Sequence, residues 1–150
     1  MLSKKMEKAL NAQINEELYS SYIYLAMSAY LDAAYYKGMA TWMGQQAKEE
    51  LGHAMKLFAY VQERGGEVAL QAIAQPQRSW DGPLAVFENA YAHEQHITGC
   101  INKLYELALK EGDHAAAGLL QWFIKEQVEE EATVDPSVHR LKLIGDKLAP

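Results

Sequence analysis

QQAKEELGHAMKLF, residues 45–58, is the stretch on which the fold turns. It holds strong helix formers and no proline, and its apolar side chains recur at three- to four-residue intervals, so it predicts an amphipathic helix. Within it Glu50 and His53 stand at i and i+3, which places a carboxylate and an imidazole on one helical face, within reach of a common ion. Alone, Glu-x-x-His is a weak signal, since most such pairs are solvated surface groups. Its meaning depends on what the rest of the chain sets beside it.

The same composition extends in both directions, and runs of alternating β-branched residues are missing, so the chain predicts an all-α fold. The first helix is expected from the N-cap Ser3 to about Ala33, with Met6, Leu10, Ile14, Leu18, Leu25 and Ser28 near one stripe. A turn at Tyr36 to Gly38 leads to the second helix, Met39 to Arg64, which stops at Gly65-Gly66. Residues 67–83 contain Pro76, Ser79, Asp81, Gly82 and Pro83 and are too many for a simple turn, so they predict a crossover from one end of a bundle to the other.

A third helix runs from Pro83 to Lys110, ahead of Glu111-Gly112, and Asp113 caps a fourth that extends toward Leu148. Pro136 removes a backbone donor and crowds the carbonyl of Ala132, at about 3 kcal/mol in a helix interior, which predicts a kink or break. Helices of this length span about 45 Å at 1.5 Å per residue, as in an antiparallel four-helix bundle of two hairpins joined by a long crossover. One domain over residues 1–150 is expected.

Composition narrows the function. The 150 residues are 49% hydrophobic and 23% charged, with a formal net charge of -6. That balance favours cationic partners and gives no reason to expect nucleic acid or anionic lipid. Cys100 is the single cysteine, so neither an internal disulfide nor a thiolate cluster is expected, which suits a reducing cytoplasm. The first residues alternate charged and apolar types without a hydrophobic signal core, and no stretch predicts a membrane span.

The informative carboxylates are those on apolar stripes, where an unpaired charge would be costly to bury. Glu17 lies on the stripe of the first helix, Glu50 and His53 on the second, Glu94 on the third among Phe87, Tyr91 and Ile101, and Gln127 and Glu130 on the fourth after Leu120 and Phe123. Counted from the turn near residue 36, Glu17 and the Glu50–His53 pair fall at similar depth. Counted from Gly112, so do Glu94 and the Gln127–Glu130 pair. Four carboxylates balance two divalent cations, and a bland surface reading gives no reason for the shared level. Oxygen-dominated ligation with one imidazole suits iron or manganese, although the affinity order alone would favour zinc or copper.

At these residues the sequence resembles the bacterial non-haem ferritins of the ferritin-like superfamily, whose own signature is this inward Glu plus Glu-x-x-His pattern. The resemblance covers nearly the whole chain and is carried by NAQINEELYSSYIYLAM at 11–27, the opening stretch at 45–58, YAHEQHI at 91–97 and LLQWFIKEQVEEEA at 119–132. It implies one iron held by Glu17, Glu50 and His53, a second held by Glu50, Glu94 and Glu130, and Glu50 as bridge. Gln127 takes the place of a glutamate ligand of bacterioferritins and Glu130 that of their histidine. A further iron position would involve Glu49, Glu126, Glu129 and Glu130.

The resemblance also implies that Tyr24 bonds a ligand carboxylate and supplies an electron during oxygen reduction, with Trp122 the weaker redox candidate; for both, packing is the plain alternative. Haem is not expected, because haem-binding relatives carry methionine after the bridging glutamate and this chain has Leu51. The implied function is oxidation of Fe(II) by O2 or H2O2, with storage of the ferric product in a homo-oligomer, a 24-subunit cage in the family. Members usually continue into a short fifth helix, whereas this sequence stops at Leu148-Ala149-Pro150, so a ferritin lacking that helix is expected. Two other functions fit the residues: a di-metal oxidase or peroxide scavenger that stores nothing, and a structural bundle with its carboxylates empty.

Overall fold

The computed structural model describes residues 1–145. The expectations that the last helix reaches Leu148 and that the chain lacks a fifth helix after Leu148-Ala149-Pro150 concern residues outside that range. Four helices make up the described fold: α1 (Lys4–Ala33), α2 (Lys37–Glu63), α3 (Pro83–Lys110) and α4 (His114–Ile144). α1 packs along α2 and α3 along α4, while α1 approaches α3 less closely. No helix among the described residues is long and apolar enough to cross a membrane.

The helix ends follow local chemistry. Ser3 Oγ accepts from the Met6 amide at 3.1 Å and Asp113 Oδ1 from the Ala116 amide at 3.0 Å, each satisfying an orphan donor of the first turn. Three helices end in the same way. The amide two residues past the cap returns to the carbonyl five residues earlier, from Tyr36 to Leu31 at 2.9 Å, Gly66 to Val61 at 2.8 Å and Asp113 to Ala108 at 2.9 Å. Gly65 and Gly112 take the left-handed conformation this closure needs, at φ 73° and 66°.

In the first hairpin that place falls to Tyr35, at φ 68°. The turn therefore lies at Ala34 to Tyr36 and not at Tyr36 to Gly38, and Gly38 is already inside α2. The stripe of α1 needs correction as well: Leu25 is 51% exposed, and Ile23, Tyr24, Met27 and Leu31 form the buried face. Each four-residue step from Met6 through Leu10 and Ile14 advances by about 40° around the helix, so the line has left the core face by the half-buried Leu18, and Leu25, seven residues on, stays with it at the edge.

The crossover behaves as its length predicts. It leaves α2 beside the first third of α1, where Asn11 donates to the Glu67 carbonyl at 2.9 Å and accepts from the Ala69 amide at 2.8 Å. It reaches α3 where Tyr30 accepts from the Gly82 amide at 3.0 Å and packs edge-on against Trp80. At the opposite end Arg64 clasps Asp113 through two bonds of 2.9 and 3.1 Å, tying the end of α2 to the start of α4.

Two apolar clusters fill the interior. One gathers Met6, Leu10, Ile14, Leu57, Ile97, Leu120 and Phe123; the other gathers Ile23, Met27, Met43, Phe87, Val134 and Val138. Along every helix the inward carboxylate falls between the two: Glu17 between Ile14 and Ile23, Glu50 between Met43 and Leu57, Glu94 between Phe87 and Ile97, Glu130 between Phe123 and Val134.

The break expected at Pro136 does not occur, since α4 continues to Ile144. Ala132 and Pro136 both lie on the exposed side, where water can take the carbonyl that the proline leaves unbonded, while Val134, Val138 and Leu141 keep both halves packed from the other side. Pro136→Ala should therefore raise the urea midpoint, stabilising the fold by as much as about 3 kcal/mol. An unchanged midpoint would show that the ring costs this helix nothing.

Candidate metal centre

The expectation that four helices offer polar groups at one level holds in the structure. Ligand atoms of Glu17, Glu50 and His53 lie within 4.8 Å of one another, and so do those of Glu50, Glu94 and Glu130. Glu50 belongs to both sets. Glu17, Glu50 and Glu94 are fully buried, and His53 and Glu130 are nearly so.

Each carboxylate has a neutral donor. Gln13 donates to Glu17 at 3.3 Å, Gln46 to Glu50 at 3.4 Å and, in a very close contact, to Glu130, and the Tyr24 hydroxyl to Glu94 at 2.8 Å. Gln127 donates to the Glu94 carboxylate at 3.2 Å and to its backbone carbonyl at 3.2 Å, so it orients Glu94 from α4. Gln13 and Gln46 were missed in the sequence, although each stands four residues before an inward glutamate, on the same face. Tyr24 is buried beside Glu94 rather than Glu17. Trp122 is 39% exposed, meets His53 edge-on at 5.6 Å, and carries the Lys56 ammonium over its ring at 3.5 Å.

Three buried atoms in this layer have no hydrogen-bond partner: Glu17 Oε2, Glu50 Oε2 and His53 Nδ1. His53 Nδ1 lies 3.3 Å from Glu50 Oε2 and 4.0 Å from Glu17 Oε2. The other ring nitrogen, Nε2, is 3.3 Å from Glu126 Oε2. With its proton on Nε2, directed at Glu126, the ring presents a lone pair from Nδ1 to the two carboxylates, as metal-ligating histidines do. Such unpartnered atoms are expensive when buried, and a cation among them removes the cost.

Electrostatics point the same way. Burial, then the charge of Glu50, pushes Glu17 well above the ordinary carboxylate range. Burial, Glu50 and Glu130 raise Glu94 to about 9, and burial with Glu50 and Glu49 raises Glu130 to about 8. Burial acts on Glu50 too, but the neighbouring His53 imidazole and the Glu17 and Glu94 carboxyls, which hold protons in its place, keep it low. Burial opposes protonation of His53, but the adjacent Glu50 carboxylate together with the charges of Glu130 and Glu126 outweighs it and raises the imidazole. Without a cation, protons held by Glu94 and Glu130 at neutral pH remove part of the layer's charge, while Glu50 stays ionised beside His53. Burial, followed by the charge of Glu94, raises Tyr24 well above its ordinary value, so it stays a phenol.

The residues expected at a further iron position line an adjoining cleft of about 280 Å³, where Glu49, Glu126, Glu129 and Glu130 meet Gln46 and Trp42. Glu126 and Glu130 also come within 4.8 Å of His53. Glu49 and Glu129 form its exposed wall.

A helical bundle with a buried layer of this kind defines a ferritin-like protein, and comparison with known families agrees: the ferritin family model, described as a ferritin-like domain, matches residues 7–144. The chain belongs to the ferritin family. It is 40% identical over 146 residues to a bacterial non-heme ferritin of Bacteroides fragilis, covering 97% of this chain and 92% of that protein. A bacterial non-heme ferritin of Campylobacter jejuni is 42% identical over 146 residues, with 97% and 87% covered. Among solved structures, the open pore ferritin of the hyperthermophilic archaeon Archaeoglobus fulgidus is 50% identical and superposes with a TM-score of 0.96 over 97% of this chain and 88% of its own. A closed form engineered from it superposes equally well, at 0.96 and 50% identity, over 97% and 89%.

The raised carboxyls fix how the metal-free protein responds to pH. Between the ordinary value of 4.5 and about 9 the native state binds more protons at Glu94 and Glu130 than the unfolded chain does. Stability is therefore greatest at the acid end of that interval and falls as pH rises through it; His53, raised from 6.5, acts in the same direction. The melting temperature of metal-free protein should decline from about pH 5 to about pH 9, and a divalent cation in anaerobic buffer should flatten the decline. A melting temperature that climbs over this range would contradict the protonated layer.

Proposed function

We propose that this ferritin oxidises its iron in the buried carboxylate layer, with Glu17, Glu50 and His53 holding one Fe(II), Glu50, Glu94 and Glu130 holding its neighbour, and Glu50 bridging the pair. The observation that carries this reading is the convergence of Glu17 Oε2, Glu50 Oε2 and His53 Nδ1, all buried and unpartnered. Iron is substrate here. Binding displaces the protons of Glu17, Glu94, Glu130 and His53, and four carboxylates then balance the pair. Each Fe(II) gives one electron to dioxygen, which leaves reduced to the peroxide level with two protons, and the protein contributes position and charge balance.

Tyr24, bonded to Glu94, is placed to add an electron, with Trp122 behind His53 as the weaker candidate; one electron from Tyr24 and one from a further Fe(II) in the cleft, with two protons, would take the peroxide to water. Glu49, Glu126 and Glu129 form the exit, where the adjoining cleft can hold one further ion before it joins a ferric store. We place that store inside a homo-oligomeric cage, and the protein in the cytoplasm as one ferritin-like domain.

Sizing of the metal-free protein combined with aerobic addition of Fe(II) tests this reading. Glu50→Ala should slow oxidation by at least roughly 100-fold, since it removes a ligand common to both positions. Equal rates in wild type and mutant would rule out the dinuclear centre. A small oligomer that oxidises iron but sheds ferric precipitate would rule out storage and favour a di-metal oxidase.

The cleft is tested separately. Replacing Glu49 and Glu126 together by glutamine should abolish one bound ion per subunit in anaerobic Fe(II) titration while the pair in the layer still fills. Retention of that ion in the double variant would remove the cleft from the path.

A further inference from the structure

Among the described residues one set of metal-ligating side chains lies outside the carboxylate layer and its cleft: Glu16 on α1 with His96 and Cys100 on α3, their ligand atoms within 4.8 Å of one another. Glu16 points away from the interior that Glu17 enters. His96 and Cys100 stand at i and i+4, so they share a face of α3. His96 Nε2 is 3.1 Å from Glu16 Oε2 and 3.6 Å from Cys100 Sγ.

These separations are those of ligands around one small ion. A tetrahedral zinc with nitrogen and oxygen at about 2.0–2.1 Å and sulfur at about 2.3 Å requires edges of roughly 3.4 Å between nitrogen and oxygen and roughly 3.6 Å between nitrogen and sulfur. The two edges from His96 Nε2 lie close to these values, and the third, from Glu16 oxygen to Cys100 sulfur, is within 4.8 Å. An ordinary surface ion pair accounts for Glu16 and His96 but gives no reason for a sulfur atom to complete the triangle.

Ligand softness separates this place from the iron layer. The layer offers oxygen and one imidazole; this triad adds a thiol, whose thiolate prefers zinc-like ions to Fe(II). Access is open, because the His96 side chain is 56% exposed and that of Glu16 36%. Glu16 stands between two clefts, one of about 320 Å³ shared with His96 and Asn15, the other of about 300 Å³ shared with Cys100 and Lys103, so solvent reaches the triad from both sides. His93, 6.0 Å from the His96 ring, is already engaged by Ser20 at 2.7 Å and serves as a wall.

We propose that Glu16, His96 and Cys100 bind a zinc-class divalent cation, with water in the fourth position, and that the ion clamps α1 to α3, a pair in less extensive contact than α1 with α2 or α3 with α4. Binding exchanges the thiol proton and any proton on His96 for the metal, and the protons pass to solvent. The site does not depend on how the carboxylate layer functions.

Cobalt(II) and zinc(II) are the probes, applied to the assembled, metal-free protein. Wild type should give a near-ultraviolet thiolate-to-cobalt band with the visible bands of tetrahedral Co(II). Cys100→Ser and His96→Ala should each lose the sulfur band and weaken zinc binding on the order of 100-fold. Glu50→Gln, which alters only the layer, should keep both. Because Cys100 is the single cysteine, its alkylation by iodoacetamide reports the same site, and zinc should slow it roughly tenfold in wild type. A cobalt spectrum with no sulfur band, or alkylation indifferent to zinc, would overturn the proposal, as would a sulfur band that vanishes in Glu50→Gln.

Discussion

The structure depends on holding four carboxyl groups in one buried layer. Each would cost several kcal/mol as an unpaired charge in such surroundings, and together they would repel. The chain meets this constraint in two ways. Protons neutralise Glu17, Glu94 and Glu130 when no cation is present, and neutral donors hold every carboxylate in place: Gln13, Gln46, Gln127 and Tyr24. A lysine or arginine in any of those places would satisfy the charge permanently and leave nothing for a metal to do. An amide or phenol satisfies geometry and leaves charge to the ion.

That choice makes the surrounding apolar clusters functional. They lie on either side of the layer along the bundle axis, so the carboxylates cannot relax toward either end. Close packing keeps the helices from sliding, and a slide of one residue would turn an inward glutamate by about 100°. The Arg64–Asp113 clasp and the Asn11 contacts with the crossover fix the two hairpins at places distant from the layer. Stability and site geometry are thus linked through register rather than direct contact.

Most of this was legible in the sequence because it rests on local rules. Helix ends follow Ser3, Gly65, Pro83 and Asp113, whose chemistry acts within a turn. The inward carboxylates stood out because charge on an apolar stripe is expensive. Tyr35 was not legible: the turn closes by the same backbone bond as at Gly65 and Gly112, but a tyrosine holds the left-handed position and Gly38 drew attention to the wrong place. Leu25 misled because a stripe counted in four-residue steps turns by about 40° at each step, and Pro136 because the cost of a proline depends on whether the freed carbonyl meets water. Gln13 and Gln46 were hidden by type, since glutamine on a helix is usually solvated and only the partner four residues later marks it.

The doublets of the sequence show how one helix serves two surfaces. Glu16-Glu17, Glu49-Glu50 and Glu129-Glu130 each pair a deeply buried carboxylate with a more exposed one, because adjacent residues differ by about 100° around the axis. On α2 and α4 the outer members meet across a common cleft that adjoins the layer at Glu130 and Gln46. On α1 the outer member turns instead to an imidazole and a sulfur on α3. The same backbone therefore presents an all-oxygen surface on one side of the layer and a softer donor set on the other. By ligand hardness the first set suits iron-like ions and the second zinc-like ones, without any change in the fold that positions the ligands.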